Sequence, residues 1–293
     1  MTPKEKFGGI YPALITPFDE HDCVNTKALV QLVEKLIADG VDGFYVSGST
    51  GEAFLLDDEE RKLVYKTVAD ATRGRVRLIA QIGAISTKKA IEFAKYAEAC
   101  GYDAISSLAP FYYKFSFEQV KKYYFDIVNS VHLPMIIYNI PLYSGVSMSV
   151  EQIGQFLSDD RFIGIKHTAN DYFALQQFKR AFPDKVMYNG FDEMFLAGLS
   201  MGADGAIGST YNFMAGKAIA LQKHFRAGNL AEAQKAQCEV SNIIAKMVKF
   251  GVMETLKELL TLQGIPVGRM RAPFSELTEE QKAYVKNEIF PMI

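Results

Sequence analysis

The feature that most constrains the fold is an uninterrupted eightfold alternation of strand-like and helix-like segments. Short apolar runs predict strands at residues 9–18, 43–46, 77–83, 103–108, 133–139, 162–168, 186–190 and 205–209. Successive strands start roughly 20 to 35 residues apart, which suits a strand followed by a crossover helix. Such alternation predicts a parallel sheet, and eight units favour an α/β fold of the closed (β/α)8 TIM-barrel type over an open doubly wound sheet.

Helix signals separate these strands and continue beyond the last one. Asp57 with Glu60, a capping-box pattern, precedes a helical apolar stripe, and similar pairs stand at 116/119 and 149/152. The helix after the eighth strand is expected to end near Phe225, and further helical segments follow at 230–250, 252–263 and 278–289. We therefore expect a barrel over residues 1–225 and a C-terminal helical extension over residues 226–293 that packs on it.

The charge balance narrows the class of partner. The 293 residues include 32 basic and 34 acidic side chains, for a net charge of −2, and no basic cluster is present. A nucleic-acid or anionic-membrane partner is therefore not expected. No apolar stretch reaches the ~20 residues that span a bilayer, and no signal-peptide core follows the N-terminus.

The cysteines indicate a compartment. Cys23, Cys100 and Cys238 are odd in number, far apart and without metal-ligand spacing. A disulfide framework is not expected, which indicates a reducing environment and predicts a cytoplasmic location.

The strand at 162–168 carries a lysine, Lys166. A buried ammonium loses its hydration, so its pKa falls, and a neutral amine attacks carbonyl groups. A lysine that reaches solvent or pairs with an acid is the structural alternative. Alternation along the strand assigns Phe162, Gly164, Lys166 and Thr168 to one face, and Ile163, Ile165 and His167 to the other.

In a (β/α)8 barrel the active site lies at the C-terminal ends of the strands. An amine, phenols, hydroxyls and carboxylates would line one bowl there. The candidates are Ser49, Thr50, Tyr112, Tyr138, Lys166, Thr168, Gly190, Asp192, Glu193 and Ser209.

Each candidate also has a structural interpretation. The glycine-rich loop at 47–52 suits an anion, or is an ordinary strand-to-helix turn. Tyr138 suits proton transfer, or is a core aromatic with a bonded hydroxyl. Asp192 and Glu193 suit a polyol, or favour a helix N-terminus. His167 is expected to be a core histidine that points away from Lys166.

Three motifs in the expected order resemble a known superfamily. Gly-Ser-Thr-Gly-Glu at 48–52, Tyr-Asn-Ile-Pro at 138–141 and Gly-Ile-Lys at 164–166 resemble the superfamily of N-acetylneuraminate lyases and dihydrodipicolinate synthases, which are pyruvate-dependent class I aldolases. The resemblance covers essentially the whole chain.

Further segments resemble the N-acetylneuraminate lyase branch. They are Pro-Phe-Tyr-Tyr at 110–113, Asn-Gly-Phe-Asp-Glu at 189–193 and the run at 205–212. The other branch usually carries an arginine after the tyrosine motif, and here Leu142, Tyr143 and Ser144 follow Pro141. Ala109 stands where lyases often have threonine, which puts a hydroxyl relay at that position in doubt.

The resemblance implies a mechanism without a metal or organic cofactor. Lys166 would form a Schiff base with the C2 ketone of N-acetylneuraminate, and Tyr138 would transfer the proton of the C4 hydroxyl. Ser49 and Thr50 would hold the substrate carboxylate. The expected contacts of the sugar chain are Thr168, Gly190, Asp192, Glu193 and Ser209. Family members are commonly homotetramers, which implies that Tyr112 reaches a neighbouring subunit's site.

Three alternatives stay open on the sequence. One is a lysine aldolase for another 2-oxo acid, or a dihydrodipicolinate synthase. Another is a phosphosugar-binding barrel that uses the region of strands seven and eight, against which Asp192 and Glu193 argue. The third is a non-enzymatic regulator with the same fold, against which Lys166 and Tyr138 argue.

Overall fold

A computed structural model describes all 293 residues and contains a barrel of eight parallel strands. The strands are β1 (Gly9–Pro12), β2 (Gly43–Val46), β3 (Arg77–Gln81), β4 (Ala104–Leu108), β5 (Met135–Asn139), β6 (Phe162–His167), β7 (Val186–Asn189) and β8 (Gly205–Gly208). Consecutive strands from β2 to β8 pair in parallel, and β8 pairs with β1. Between β1 and β2 the ring closes through an isolated bridge of Ala13 with Tyr45. The predicted (β/α)8 barrel is confirmed.

One short helix precedes β1, further helices follow the strands, and the last three belong to the extension. The helices are α1 (Pro3–Phe7), α2 (Thr26–Ala38), α3 (Asp58–Thr72), α4 (Thr87–Ala99), α5 (Phe117–Val128), α6 (Pro141–Ser144), α7 (Val150–Leu157), α8 (Tyr172–Ala181), α9 (Phe195–Ser200), α10 (Tyr211–Arg226), α11 (Leu230–Met247), α12 (Val252–Leu262) and α13 (Glu279–Tyr284). A 3-10 turn at Asp192–Met194 precedes α9, and a π-helical turn at Val285–Ile289 follows α13. None of these helices combines the length and the hydropathy of a bilayer-spanning segment.

The predicted capping boxes start three of these helices. Asp57, Ser116 and Ser149 each accept a hydrogen bond from the backbone N–H three residues later, at α3, α5 and α7. These bonds satisfy donors that the first turn of a helix leaves free. The local sequence therefore sets the points at which these helices leave the loops.

Apolar side chains form two separate layers. Fourteen buried residues fill the barrel interior, among them Tyr45, Tyr138 and Tyr188. A second cluster of 61 buried residues lies between the barrel and its helices. Ile243 of α11 and Leu256 of α12 belong to this second cluster, so the extension packs into the same apolar layer as the barrel helices.

A β-bulge in β6 breaks the predicted alternation. Met135 pairs with Phe162 and Ile136 pairs with Gly164, so Ile163 is an extra residue without a partner. Ile163 lies in the interior cluster, whereas Phe162 packs among the helices. The prediction that Phe162 shares the face of Lys166 is wrong, and so is the placement of Ile163, because the extra residue shifts the alternation by one. After the bulge, Ile165 points to the helices as predicted.

Candidate active site

Lys166 lies buried near the C-terminal end of β6, with 5% of its surface exposed. Its Nζ is 4.2 Å from the ring centroid of Tyr138 and 4.4 Å from that of Tyr45. Burial lowers the pKa of Lys166 from 10.5 to about 7, while the charge of Asp192 acts in the opposite direction. A large fraction of this amine is therefore neutral at neutral pH and able to attack a carbonyl carbon.

Tyr138 on β5 is the register partner of Lys166. Burial raises the pKa of Tyr138 to about 12, and the hydroxyls of Ser49 and Thr168 partly offset this rise. The phenol is therefore protonated at neutral pH beside an amine that is partly unprotonated. Such a pair can both attack a ketone and move a proton.

Tyr45 completes the surroundings of the amine and is not among the candidates that the sequence motifs indicate. Its ring lies edge-on to that of Tyr138, with centroids 5.9 Å apart, and its hydroxyl donates to Ser106 Oγ at 3.1 Å. The two rings hold Lys166 Nζ between them. Alternation along β2 could have indicated Tyr45, because it places Tyr45 on the same face as Ser47, the first residue of the glycine-rich loop.

The loop after β2 brings two predicted hydroxyls to the site. Thr50 is buried, and its Oγ1 lies 2.8 Å from Ser209 Oγ, which follows β8. Ser49, beside it, is exposed. The loop after β2 and the end of β8, which lie on either side of β1, thus bring hydroxyl groups together, an arrangement that can bind an anion.

Thr168 and Gly190 form a second polar edge beside Lys166. The N–H of Gly190 donates to the carbonyl of His167 at 2.9 Å. A Cβ at Gly190 would overlap Thr168 Oγ1, so only glycine leaves room for that hydroxyl. Thr168 Oγ1 is buried close enough to the Tyr138 hydroxyl to lower its pKa, but it makes no well-aligned hydrogen bond within the protein, so it can bond to a ligand.

The predicted acidic pair separates into two environments. Asp192 is 6% exposed, and its Oδ2 accepts hydrogen bonds from Thr210 N at 2.9 Å and Thr210 Oγ1 at 2.7 Å. Burial raises the pKa of Asp192 to about 6, and the Thr210 bonds oppose this rise. Glu193 is exposed at the rim. Thr210, which fixes Asp192, is a further residue that the sequence reasoning missed.

His167 faces the helices, as predicted. Its Nε2–H donates to the carbonyl of Asp171 at 2.9 Å, so Nδ1 is the acceptor of the Asn139 amide at 3.0 Å. Burial lowers the pKa of His167, which favours this neutral form. The imidazole therefore ties β5 to the segment before α8 behind Lys166 and Tyr138.

Tyr112 is not brought to Lys166 within one chain. It is 84% exposed, has a φ of 78°, and contacts the ring of Tyr113 at 5.0 Å between centroids. A mainly apolar cavity of about 290 Å³ opens nearby, lined by Ser49, Phe111 and Tyr143 among others. An exposed aromatic surface therefore borders the mouth of the barrel.

The chemistry available to the site is that of an amine nucleophile. No group of three or more His, Cys, Asp or Glu side chains is arranged to hold a metal ion. The buried amine, the adjacent phenol and the hydroxyl-bearing loop suit Schiff-base formation with a ketone that carries a carboxylate.

Comparisons with known proteins agree over nearly the whole chain. The model of the dihydrodipicolinate synthetase family matches residues 6–290. An N-acetylneuraminate lyase of Clostridium perfringens is 42% identical over 279 residues, which are 95% of this chain and 97% of that protein. The structure of CdNal from Clostridium difficile in complex with mannosamine has a TM-score of 0.95 at 40% identity and covers 97% of this chain and 98% of its own. A catalytic-lysine mutant of the Ruminococcus gnavus sialic acid aldolase has a TM-score of 0.96 at 30% identity and covers 100% of this chain and 97% of its own.

Proposed function

Because the chain belongs to the dihydrodipicolinate synthetase family, we propose that it is an N-acetylneuraminate lyase. It is a class I aldolase that reversibly cleaves N-acetylneuraminate to pyruvate and N-acetylmannosamine in sialic acid catabolism. The observation that carries this function is the buried Lys166, with a pKa of about 7, next to Tyr138. The 42% identity to a lyase supports the choice of substrate.

Lys166 is the nucleophile. Its neutral amine adds to the C2 ketone of the open-chain sugar, and loss of water gives a protonated imine. The C3–C4 bond then breaks, and its electron pair moves into the imine to form an enamine of pyruvate. Protonation of the enamine at C3 and hydrolysis release pyruvate and restore the amine, so no metal or organic cofactor takes part.

Tyr138 moves the proton of the C4 hydroxyl. As the C3–C4 bond breaks, that proton leaves the oxygen and N-acetylmannosamine departs as an aldehyde. The phenol relays it together with the substrate carboxylate, since a tyrosine with a pKa of about 12 is a weak base by itself. The neighbouring Thr168 hydroxyl extends this relay.

The remaining residues bind the two ends of the substrate. Ser49 and Thr50 hold the carboxylate through hydroxyl and backbone N–H groups at the end of β2. The sugar chain lies along β6, β7 and β8, where its contacts are Thr168, Gly190, Asp192, Glu193 and Ser209.

The assembly is a homotetramer located in the cytoplasm. Tyr112 and Tyr113 are 84% and 62% exposed, which is unusual for two adjacent large aromatics and suits a subunit interface. In the tetramer, Tyr112 enters the proton relay of a neighbouring subunit's site. Residues 1–225 form the catalytic barrel, and residues 226–293 form an appendage packed on it.

Borohydride reduction in the presence of pyruvate tests the proposal. We expect one covalent adduct, on Lys166, and none in Lys166→Ala, which should also lose turnover. Tyr138→Phe should lower turnover roughly 10²- to 10⁴-fold and still form the adduct. The readouts are peptide mass mapping and a coupled assay of N-acetylneuraminate cleavage.

Two results would contradict the proposal. Recovery of only an unmodified Lys166 peptide would show that Lys166 does not form the Schiff base. Activity with pyruvate plus aspartate semialdehyde, without cleavage of N-acetylneuraminate, would assign the protein to the synthase branch. The exposed Leu142 and Tyr143 after Pro141 provide no cation for a second carboxylate, which argues against that branch.

A further inference from the structure

The loop after β2 holds a backbone conformation that its own sequence does not favour. Ser47 has a φ of 56° and Glu52 a φ of 54°, both in the left-handed region although neither residue is glycine. These residues flank the segment that carries Ser49 and Thr50. Backbone of this kind persists where the surroundings hold it in place.

Glu52 is anchored by a buried ion pair with the C-terminal extension. Its side chain is fully buried, and its Oε1 lies 2.8 Å from Nζ of Lys257 on α12, which is 3% exposed. The other oxygen, Oε2, accepts the N–H of Arg271 at 2.8 Å. Neither charge reaches water, so removal of one partner leaves the other buried and unpaired.

The same lysine also fixes the segment after β1. Lys257 Nζ donates to the carbonyl of Thr16 at 3.0 Å and to that of Arg269 at 2.8 Å. Thr16 in turn donates its hydroxyl to the carbonyl of Gly51 at 2.7 Å. The loop is therefore held at two consecutive residues, Gly51 and Glu52, by one connected set of polar groups.

We infer that Glu52 and Lys257 are positioning residues for the carboxylate of the 2-oxo acid. They fix the loop so that Ser49 and Thr50 meet the carboxylate, and they do not touch the substrate themselves. This inference rests on the proposed function and deepens it, because it assigns part of pyruvate binding to the extension. Binding groups held slightly out of place lose affinity steeply, so a defect in the pair should appear in the response to pyruvate concentration.

Four variants test the inference through the borohydride adduct on Lys166. Lys257→Met and Glu52→Gln should each raise the pyruvate concentration for half-maximal trapping at least ~tenfold, with the adduct still formed at saturation. The double variant should lose less affinity for pyruvate than the sum of the two single losses, since it leaves no unpaired charge. Lys257→Arg, which keeps the charge, should recover part of the affinity.

Lys179→Met is the matched control. Lys179 forms an ion pair of the same length, 2.8 Å, with Asp204, away from the loop. This variant should have lower thermal stability, but its pyruvate concentration for half-maximal trapping should stay within about twofold of the wild-type value. The inference would be overturned if the pyruvate concentration for half-maximal trapping in Lys257→Met also stayed within about twofold of the wild-type value.

A smaller change keeps the test decisive if Lys257→Met does not fold. Thr16→Val is nearly isosteric and removes only the bond to the carbonyl of Gly51. It should shift half-maximal trapping in the same direction, and a folded Thr16→Val with unchanged trapping would overturn the inference. A wild-type protein that forms no adduct would instead contradict the proposed function, so the two failures are distinguishable.

Discussion

At the scale of single residues, burial and charge compete over Lys166. The faces of Tyr45 and Tyr138 favour the ammonium by up to about 2 kcal/mol. The fall of its pKa from 10.5 to about 7 corresponds to roughly 5 kcal/mol in favour of the neutral amine. Desolvation is therefore the larger effect. Asp192 limits how far the pKa falls.

Removal of the Asp192 charge should shift the pH dependence of adduct formation. The rate of trapping by the wild type should rise with pH through about 7, as Lys166 loses its proton. The carboxylate of Asp192 favours the ammonium, so Asp192→Asn should lower the midpoint by about one pH unit. Borohydride trapping with pyruvate at a series of pH values measures this midpoint.

Glu193→Gln is the control for this shift. Glu193 is the neighbouring carboxylate but is exposed, where solvent screens its charge. Its removal should leave the midpoint in place. A midpoint that stays or rises in Asp192→Asn would show that Asp192 does not set the pKa of the amine.

The sequence indicates the proposed nucleophile, Lys166, better than it indicates the residues around it. Lys166 and Tyr138 stand in recognisable motifs at predicted strand ends. Tyr45 on β2 contacts Tyr138 on β5, and Thr210 after β8 donates to Asp192 in the turn after β7. Only the closed barrel brings these residues together. Such contacts depend on register between distant strands, which local patterns do not contain.

At the scale of elements, the small residues of β8 leave space for the side chain of Asp192. Three of the four residues of β8 are Gly205, Ala206 and Gly208. A Cβ at Gly208 would overlap the Asp192 carboxylate, so the small residue makes space for that side chain. The strand therefore sets the position of Asp192, the acid that we propose contacts the sugar chain.

Gly208→Ala should damage sugar binding more than Schiff-base formation. The added methyl would displace Asp192, so the KM for N-acetylneuraminate should rise about tenfold or more. Pyruvate lacks the sugar chain, so the pyruvate concentration for half-maximal trapping should change little. Steady-state cleavage kinetics and trapping on the same preparation measure both quantities.

Gly216→Ala provides the comparison. Gly216 lies in α10, and a Cβ there would meet no atom within 4 Å. Kinetics should be unchanged, with stability raised by up to about 1 kcal/mol because alanine is the better helix former. Equal kinetics in Gly208→Ala and the wild type would refute the role given to β8.

Element types follow from local sequence more faithfully than element ends. Capping pairs predict where α3, α5 and α7 begin, because side chain and backbone in those boxes are three residues apart. The sequence predicts a first strand over residues 9–18, but β1 ends at Pro12, and only isolated bridges follow it. The four-residue helix α6 is too short to show a period, and the β6 bulge depends on pairing with β5.

At the scale of the whole molecule, the active site is proposed to be shared between chains. The rim that carries Tyr112, Tyr113 and Phe274 is rich in exposed aromatic surface. A monomer would leave this surface in water, whereas an interface would cover it. Light scattering coupled to size exclusion should therefore give four times the 32.7 kDa chain mass.

Mixed tetramers test whether Tyr112 serves a neighbouring site. Tyr112→Ala should lose most activity because its sites lack the neighbour's phenol, and Lys166→Ala should have none. After subunit exchange between the two, part of the activity should return, since some sites then combine an intact Lys166 with an intact Tyr112. Mixtures no more active than Tyr112→Ala alone would place Tyr112 outside the relay.

The link between Lys257 and the loop after β2 has a consequence for the order of folding. Protein chains are made from the N-terminus and begin to fold domain by domain as they emerge. All eight strands precede residue 209, and the partners of Glu52 stand at Lys257 and Arg271. On the ribosome, all eight strands therefore emerge before the loop after β2 can acquire these partners, so we expect the loop to reach its final conformation late in synthesis.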